Sequence, residues 1–111
     1  MSSYTIPSVI ERTANGTERA TDIFSRLLSD RIVYIGTAID DGVANTVIAQ
    51  VLHLENESRD QPIQVYVNSS GGDVQAVLAI HDALAYVRSQ VAVTCVGQVV
   101  AAPVLLLAAG T

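Results

Sequence analysis

A chain of 111 residues and 11.7 kDa is long enough for one domain and too short for two. Half of the residues are hydrophobic and 15% are charged, which excludes intrinsic disorder as the default state. Eleven acids against six bases leave a net charge of -5, so neither nucleic acid nor an anionic membrane is an expected partner, because both select a basic surface.

Taken in order, residues 1–17 are polar, carry a turn pair at Asn15-Gly16 and read as an exposed N-terminal arm. From Glu18 to Leu28, apolar residues at Ile23, Phe24, Leu27 and Leu28 predict a short amphipathic helix. Arg31–Gly36 reads as a strand, because Ile32, Val33, Tyr34 and Ile35 form an apolar run closed by glycine. Asp40-Asp41-Gly42 then supplies helix-start chemistry: carboxylates accept from unpaired N–H groups and suit the positive end of the helix dipole. The helix places Val43, Val47, Val51 and Leu54 on one face, with Ile48 and Leu52 beside them, and stops in the polar stretch before Pro62.

Ile63–Asn68 is the second expected strand, Ser69–Gly72 a turn, and Asp73–Arg88 a long helix with Val77, Ile80, Leu84 and Val87 on one stripe. Val91–Val96 is the third strand and Val99–Ala109 a last apolar helix. Alternating strands and helices with short connections predict an α/β fold of parallel crossover units. The strands are apolar on both faces, as strands buried in a parallel sheet are.

The run from Val91 to Gly110 carries no charge over 20 residues, the length of a membrane span. Thr94, Gly97, Gln98 and Pro103 interrupt it and no basic flank anchors it, so a strand, a turn and a buried helix are expected instead. The start of the chain has no basic region followed by an apolar one, so no secretory signal is expected and the cytoplasm is the expected compartment.

Several chemistries are closed by composition. All six bases are arginine, so a catalytic lysine is excluded. One cysteine, Cys95, allows neither an internal disulfide nor a multi-cysteine zinc site, and its place inside a strand predicts a buried structural thiol. No metal or cofactor is expected. His53 and His81 read as helix-surface residues, and the acids at helix ends read as caps.

Two loops remain informative. Asn68-Ser69-Ser70-Gly71-Gly72-Asp73 leaves a strand and opens a helix. By spacing alone it is a strand-to-helix turn; by chemistry, its N–H groups could also hold an anion, a carbonyl oxygen or a peptide backbone. It fits neither the dinucleotide nor the phosphate-loop pattern. Gly97–Pro103 likewise joins a strand to an apolar helix, where hydrolases place a serine nucleophile, yet the stretch holds no serine, threonine or cysteine.

The motifs together resemble the proteolytic subunit of the Clp proteases, the caseinolytic peptidase family. Ser25-Arg26-Leu27-Leu28-Ser29-Asp30-Arg31-Ile32 resembles S-R-L-L-x-[DE]-R-[IV], and Val67-Asn68-Ser69-Ser70-Gly71-Gly72 resembles I-N-S-P-G-G. Ala79-Ile80-His81-Asp82, Cys95-Val96-Gly97-Gln98 and Leu106-Leu107-Ala108-Ala109-Gly110 follow in family order. The resemblance implies the N-terminal part of a crotonase-like fold, with residues 1–17 as an arm whose Tyr4-Thr5-Ile6-Pro7 lies at the axial pore. It implies rings of Clp-type subunits, homo- or hetero-oligomeric, served by an AAA+ unfoldase, and a Ser-His-Asp triad.

At the position of the nucleophilic serine this chain has Ala101, and the family's histidine and aspartate lie further along than Thr111. The resemblance therefore implies a catalytically inactive relative. It puts the oxyanion-hole N–H groups at Gly72 and Ala102, the substrate-binding loop at Ser69, Ser70 and Gly71, and an ATPase-docking pocket at Tyr66, Tyr86 and Val96. Pro103 stands where the family has glycine, a change tolerated in the first turn of a helix. A crotonase-type acyl-CoA or thioester-binding module is the alternative, because it shares the oxyanion-loop architecture. The apolar last helix also leads to the expectation that the isolated chain associates or depends on a partner.

Overall fold

The computed structural model describes residues 8–12 and 18–110. Strands β1 (Ser8–Arg12) and β2 (Glu18–Asp22) form an antiparallel pair, with Ser8 opposite Asp22 and Arg12 opposite Glu18. So part of the expected arm is a strand, and the helix expected from Glu18 begins only at Ile23. Cross-strand pairing takes residues 18–22, and the apolar positions that suggested a helix all fall in α1 (Ile23–Ser29). The Asn15-Gly16 turn and the Tyr4–Pro7 segment lie outside the described residues.

β3 (Ile32–Ile35), β4 (Ile63–Ser69) and β5 (Val91–Val99) form a parallel sheet in the order β3-β4-β5. Ile32 pairs with Gln64, and Ile63 pairs with Val91. The crossovers are α2 (Asp41–Glu57) and α3 (Val74–Tyr86). Each starts on an aspartate whose side chain accepts a backbone N–H three residues on: Asp40 from Val43 at 2.8 Å and Asp73 from Ala76 at 2.9 Å. These bonds satisfy donors that the helix itself leaves unpaired.

One core results. Val47, Val51 and Leu54 of α2 and Val77, Ile80 and Leu84 of α3 meet Val33, Ile35, Val65 and Val67 of the sheet. Each such side chain contributes about 1.5–3 kcal/mol when fully buried. Only this face is closed. Tyr34, Tyr66 and Thr94, paired across the three strands, lie on the other face and are exposed or half-buried, which corrects the expectation of strands buried on both sides.

The last third departs furthest from expectation. β5 does not stop at Gly97 but continues to Val99, and α4 (Val104–Ala108) is five residues long rather than eleven. The cause is a bulge. Val67 pairs with Cys95 and Ser69 with Val99, so two steps along β4 correspond to four along β5. Gly97 sits within it at φ +85, conformational space open to glycine. Among the described residues no helix is long and apolar enough to cross a membrane; the uncharged run is the whole of β5, a turn and α4.

Candidate functional site

The two loops singled out by sequence lie side by side at the C-terminal ends of β4 and β5. The Val100 N–H donates to the Ser69 carbonyl at 3.1 Å, continuing the Ser69–Val99 pairing into the turn. Asn68 supports the same junction: its Oδ1 accepts from the Gln98 N–H at 3.4 Å, and a Cβ added to Gly97 would meet that oxygen at 3.1 Å. Sequence reading left Asn68 unassigned. Its signal is an asparagine ending a strand beside a glycine in the neighbouring one.

The glycine loop is shaped from within and from behind. Ser69 is 1% exposed; its hydroxyl donates to the Gly71 carbonyl at 2.8 Å and accepts from the Gly71 N–H at 3.4 Å. From behind, Ile39 forms a parallel bridge with Gly72: the Ile39 N–H donates to Gly71 O at 3.1 Å, and the Asp73 N–H donates to Ile39 O at 2.9 Å. That pattern spends the groups of Gly71 and Asp73 and turns the N–H of Gly72 away from Ile39. A Cβ at Gly72 would lie 2.9 Å from both Ile39 Cβ and Ile39 O, so the approach requires glycine. Ser70 is exposed, and Gly71 has φ +156.

Across from it, Ala101 is held at φ 61, the left-handed conformation that residues with a Cβ seldom adopt. It stands between the end of β5 and the start of α4. Pro103, expected within the helix, stands just before α4 at φ -57 and makes no capping bond, and its ring is compatible with the helical entry. The N–H groups of Val104, Leu105 and Leu106 are taken by the carbonyls of Ala101, Ala102 and Pro103 at 3.0–3.1 Å. Neither Gly72 nor Ala102 has its N–H bonded to an acceptor among the described residues.

A sequence model of the family described as Clp protease matches residues 15–111, nearly all of the chain. This chain belongs to the Clp protease family. It is 59% identical over 111 residues to ATP-dependent Clp protease proteolytic subunit 4 of Rhodococcus jostii, covering all of this chain and 57% of that one. It is 54% identical over 110 residues to proteolytic subunit 1 of Nocardia farcinica, and 52% identical over 110 residues to proteolytic subunit 2 of Streptomyces avermitilis. Those matches cover 99% of this chain and 56% and 54% of the relatives, so the chain spans about half their length. The parallel sheet with its crossover helices is the N-terminal part of the Clp protease fold.

With the family established, the remaining candidates can be placed. Tyr66 is half-buried, and its hydroxyl donates to Gln64 Oε1 at 2.6 Å. Val96 is exposed on β5, and Tyr86, the last residue of α3, is 78% exposed. Tyr86 lines a pocket of about 250 Å³ with Glu55, Arg59 and Arg88, and neither Tyr66 nor Val96 is part of it. A cavity of about 570 Å³ lies away from both loops, between α1, β3 and α2, and is lined by Phe24, Tyr34, Val43 and Gln50 among others.

Cys95 corrects an expectation: it is exposed, not buried. It pairs with Val67 on an edge strand, but the chain beyond α4 returns to Val91 and Val93, where Gly110 packs, and the cover stops short of Cys95. His53 lies 3.5 Å from Glu57 one turn on, and His81 lies 3.4 Å from Asp82; both pairs are surface contacts of their own helices.

Proposed function

We propose that this chain is a non-cleaving subunit of a Clp-type ATP-dependent protease, working in the cytoplasm as a structural member of a ring shared with active subunits. The observation that carries this reading is Ala101. It occupies the turn where the family places its serine, in a left-handed backbone conformation that would present a side chain to substrate. A methyl group there has no lone pair to attack a carbonyl.

The surrounding architecture supports retention of peptide-facing geometry. Gly72 and Ala102 are the proposed oxyanion-hole donors, and among the described residues their N–H groups have no competing partner. Ser69 shapes the loop from inside, while Ser70 and Gly71 offer its outer surface. Tyr66, Val96 and Tyr86 are the proposed ATPase-docking residues. Their separation within one chain fits a pocket completed between neighbouring subunits.

Mixing the chain with a full-length, serine-bearing Clp proteolytic subunit tests this. Light scattering after size exclusion is expected to show a defined ring containing both. Monomer or polydisperse aggregate alone, in the mixture as well as in the isolated chain, overturns the ring assignment. A peptidase assay on the isolated chain is expected to show no turnover. Hydrolysis that survives repeated purification and ignores substitutions at Ala101 overturns the non-cleaving assignment.

A further inference from the structure

Among the described residues, unpaired positive charge gathers in the pocket beside Tyr86. Arg59 follows the C-cap of α2, Arg88 follows the C-cap of α3, and both line the pocket with Tyr86 and Glu55. Among the described residues neither guanidinium meets a carboxylate or other acceptor. The other two arginines with described side chains are engaged: Arg26 with Asp30, and Arg31 with four backbone carbonyls.

A structural account of the pair does not suffice. Cations after helix C-termini can serve the free carbonyls there. At α2 that task is already done by Arg31, whose guanidinium donates to Leu54 O and Ser58 O at 2.8 Å each. The notch also has a fixed wall, since the Arg88 backbone N–H donates to Glu55 Oε2 and ties the end of α2 to the end of α3. One Glu55 oxygen is thereby committed, and two guanidinium forks face the same space against one carboxylate.

We infer that the Arg59–Arg88–Tyr86 notch anchors an acidic side chain of a docking peptide, with Tyr86 receiving an apolar residue beside it. Guanidinium forks match carboxylates in paired hydrogen bonds, and an exposed aromatic ring supplies the adjoining apolar surface. An extended polyanion fits poorly, because Glu57 and Asp60 flank the notch in sequence and the chain carries -5 overall. The inference deepens the docking role proposed above and rests on it for the identity of the partner.

The test uses the full chain and a labelled, terminally blocked peptide Gly-Phe-Asp-Glu-Leu-Gly, read by fluorescence anisotropy at low salt. Controls are the Asn-Gln isostere of that peptide and inorganic phosphate as competitor. The acidic peptide is expected to bind about tenfold more tightly than the isostere, and Arg59→Gln and Arg88→Gln are each expected to weaken it about tenfold. Both side chains are exposed, so the thermal melt should not move. Equal affinity for the isostere, unchanged affinity in both arginine variants, no binding at all, or displacement by phosphate at the peptide's own concentration overturns the inference. Binding lost in Tyr86→Ala but untouched in the arginine variants leaves the docking surface standing and removes the arginine anchor alone.

Discussion

Arg31 does more for this fold than its place in the sequence suggests. It has φ 65, an unfavourable backbone conformation, and its guanidinium donates to the carbonyls of Leu54, Ser58, Gln61 and Pro62 at 2.8–3.1 Å. One side chain thus gathers the end of α2 and the loop that leads into β4. Arg31→Ala leaves these carbonyls without their donor and is expected to lower stability by about 2–3 kcal/mol, read as a urea midpoint shift; Arg31→Lys, a point charge rather than a fork, should recover only part. Gly72 is a second single-residue constraint. Gly72→Ala must push Ile39 or open the bridge to it, at an expected cost of about 1–3 kcal/mol in the same measurement. Ala101, by contrast, carries its left-handed strain with no hydroxyl to present.

At the scale of elements, the capping aspartate of α2 was readable and the ends of the last elements were not. Asp40 precedes an apolar stripe of helical period and caps its helix as the pattern implied, whereas Asp73, expected as the first residue of its helix, is the cap one place before α3. Asp73→Ala is expected to cost about 1 kcal/mol and, because the Asp73 N–H also donates to Ile39 O, to leave that backbone bond intact. A thermal melt beside Asp40→Ala checks it: comparable losses follow if capping is the whole effect, a much larger loss for Asp73 if the loop depends on the carboxylate. The end of β5 shows why local pattern failed there. Gly97 looks like a strand terminator, but the neighbouring β4 and the Asn68 side chain hold the backbone in a bulge and pairing resumes at Ser69–Val99. That extension uses residues up to Val99, the turn uses the next four, and only Val104–Ala108 remains for a helix.

For the whole molecule, the deciding fact is the uneven covering of apolar surface. Leu106 is fully buried, while Val104, Leu105 and Leu107 are 47%, 43% and 37% exposed, and Tyr86 and Val96 add to the open surface. A face of this kind favours association. The isolated chain is expected to self-associate, and more so when NaCl rises from about 0.05 to about 0.5 M, because salt screens the repulsion of a chain at -5 and does not weaken apolar contact. Leu105→Ser with Leu107→Ser should lower the average mass in light scattering while moving the unfolding midpoint little. A monodisperse monomer at both salt concentrations would refute the expectation.

Local periodicity and ordered short motifs were enough for the alternation of strands and helices, the capping Asp40, the buried stripes of α2 and α3 and the family. The β1–β2 pair, the cap at Asp73, the bulge at Gly97, the exposure of Cys95 and the carbonyl clamp of Arg31 emerged only with the folded chain. These depend on which backbone groups find partners far along the chain, and on how far a short α4 can reach over the edge of the sheet. Such choices are made by long-range hydrogen bonding and cover, which no window of neighbouring residues contains.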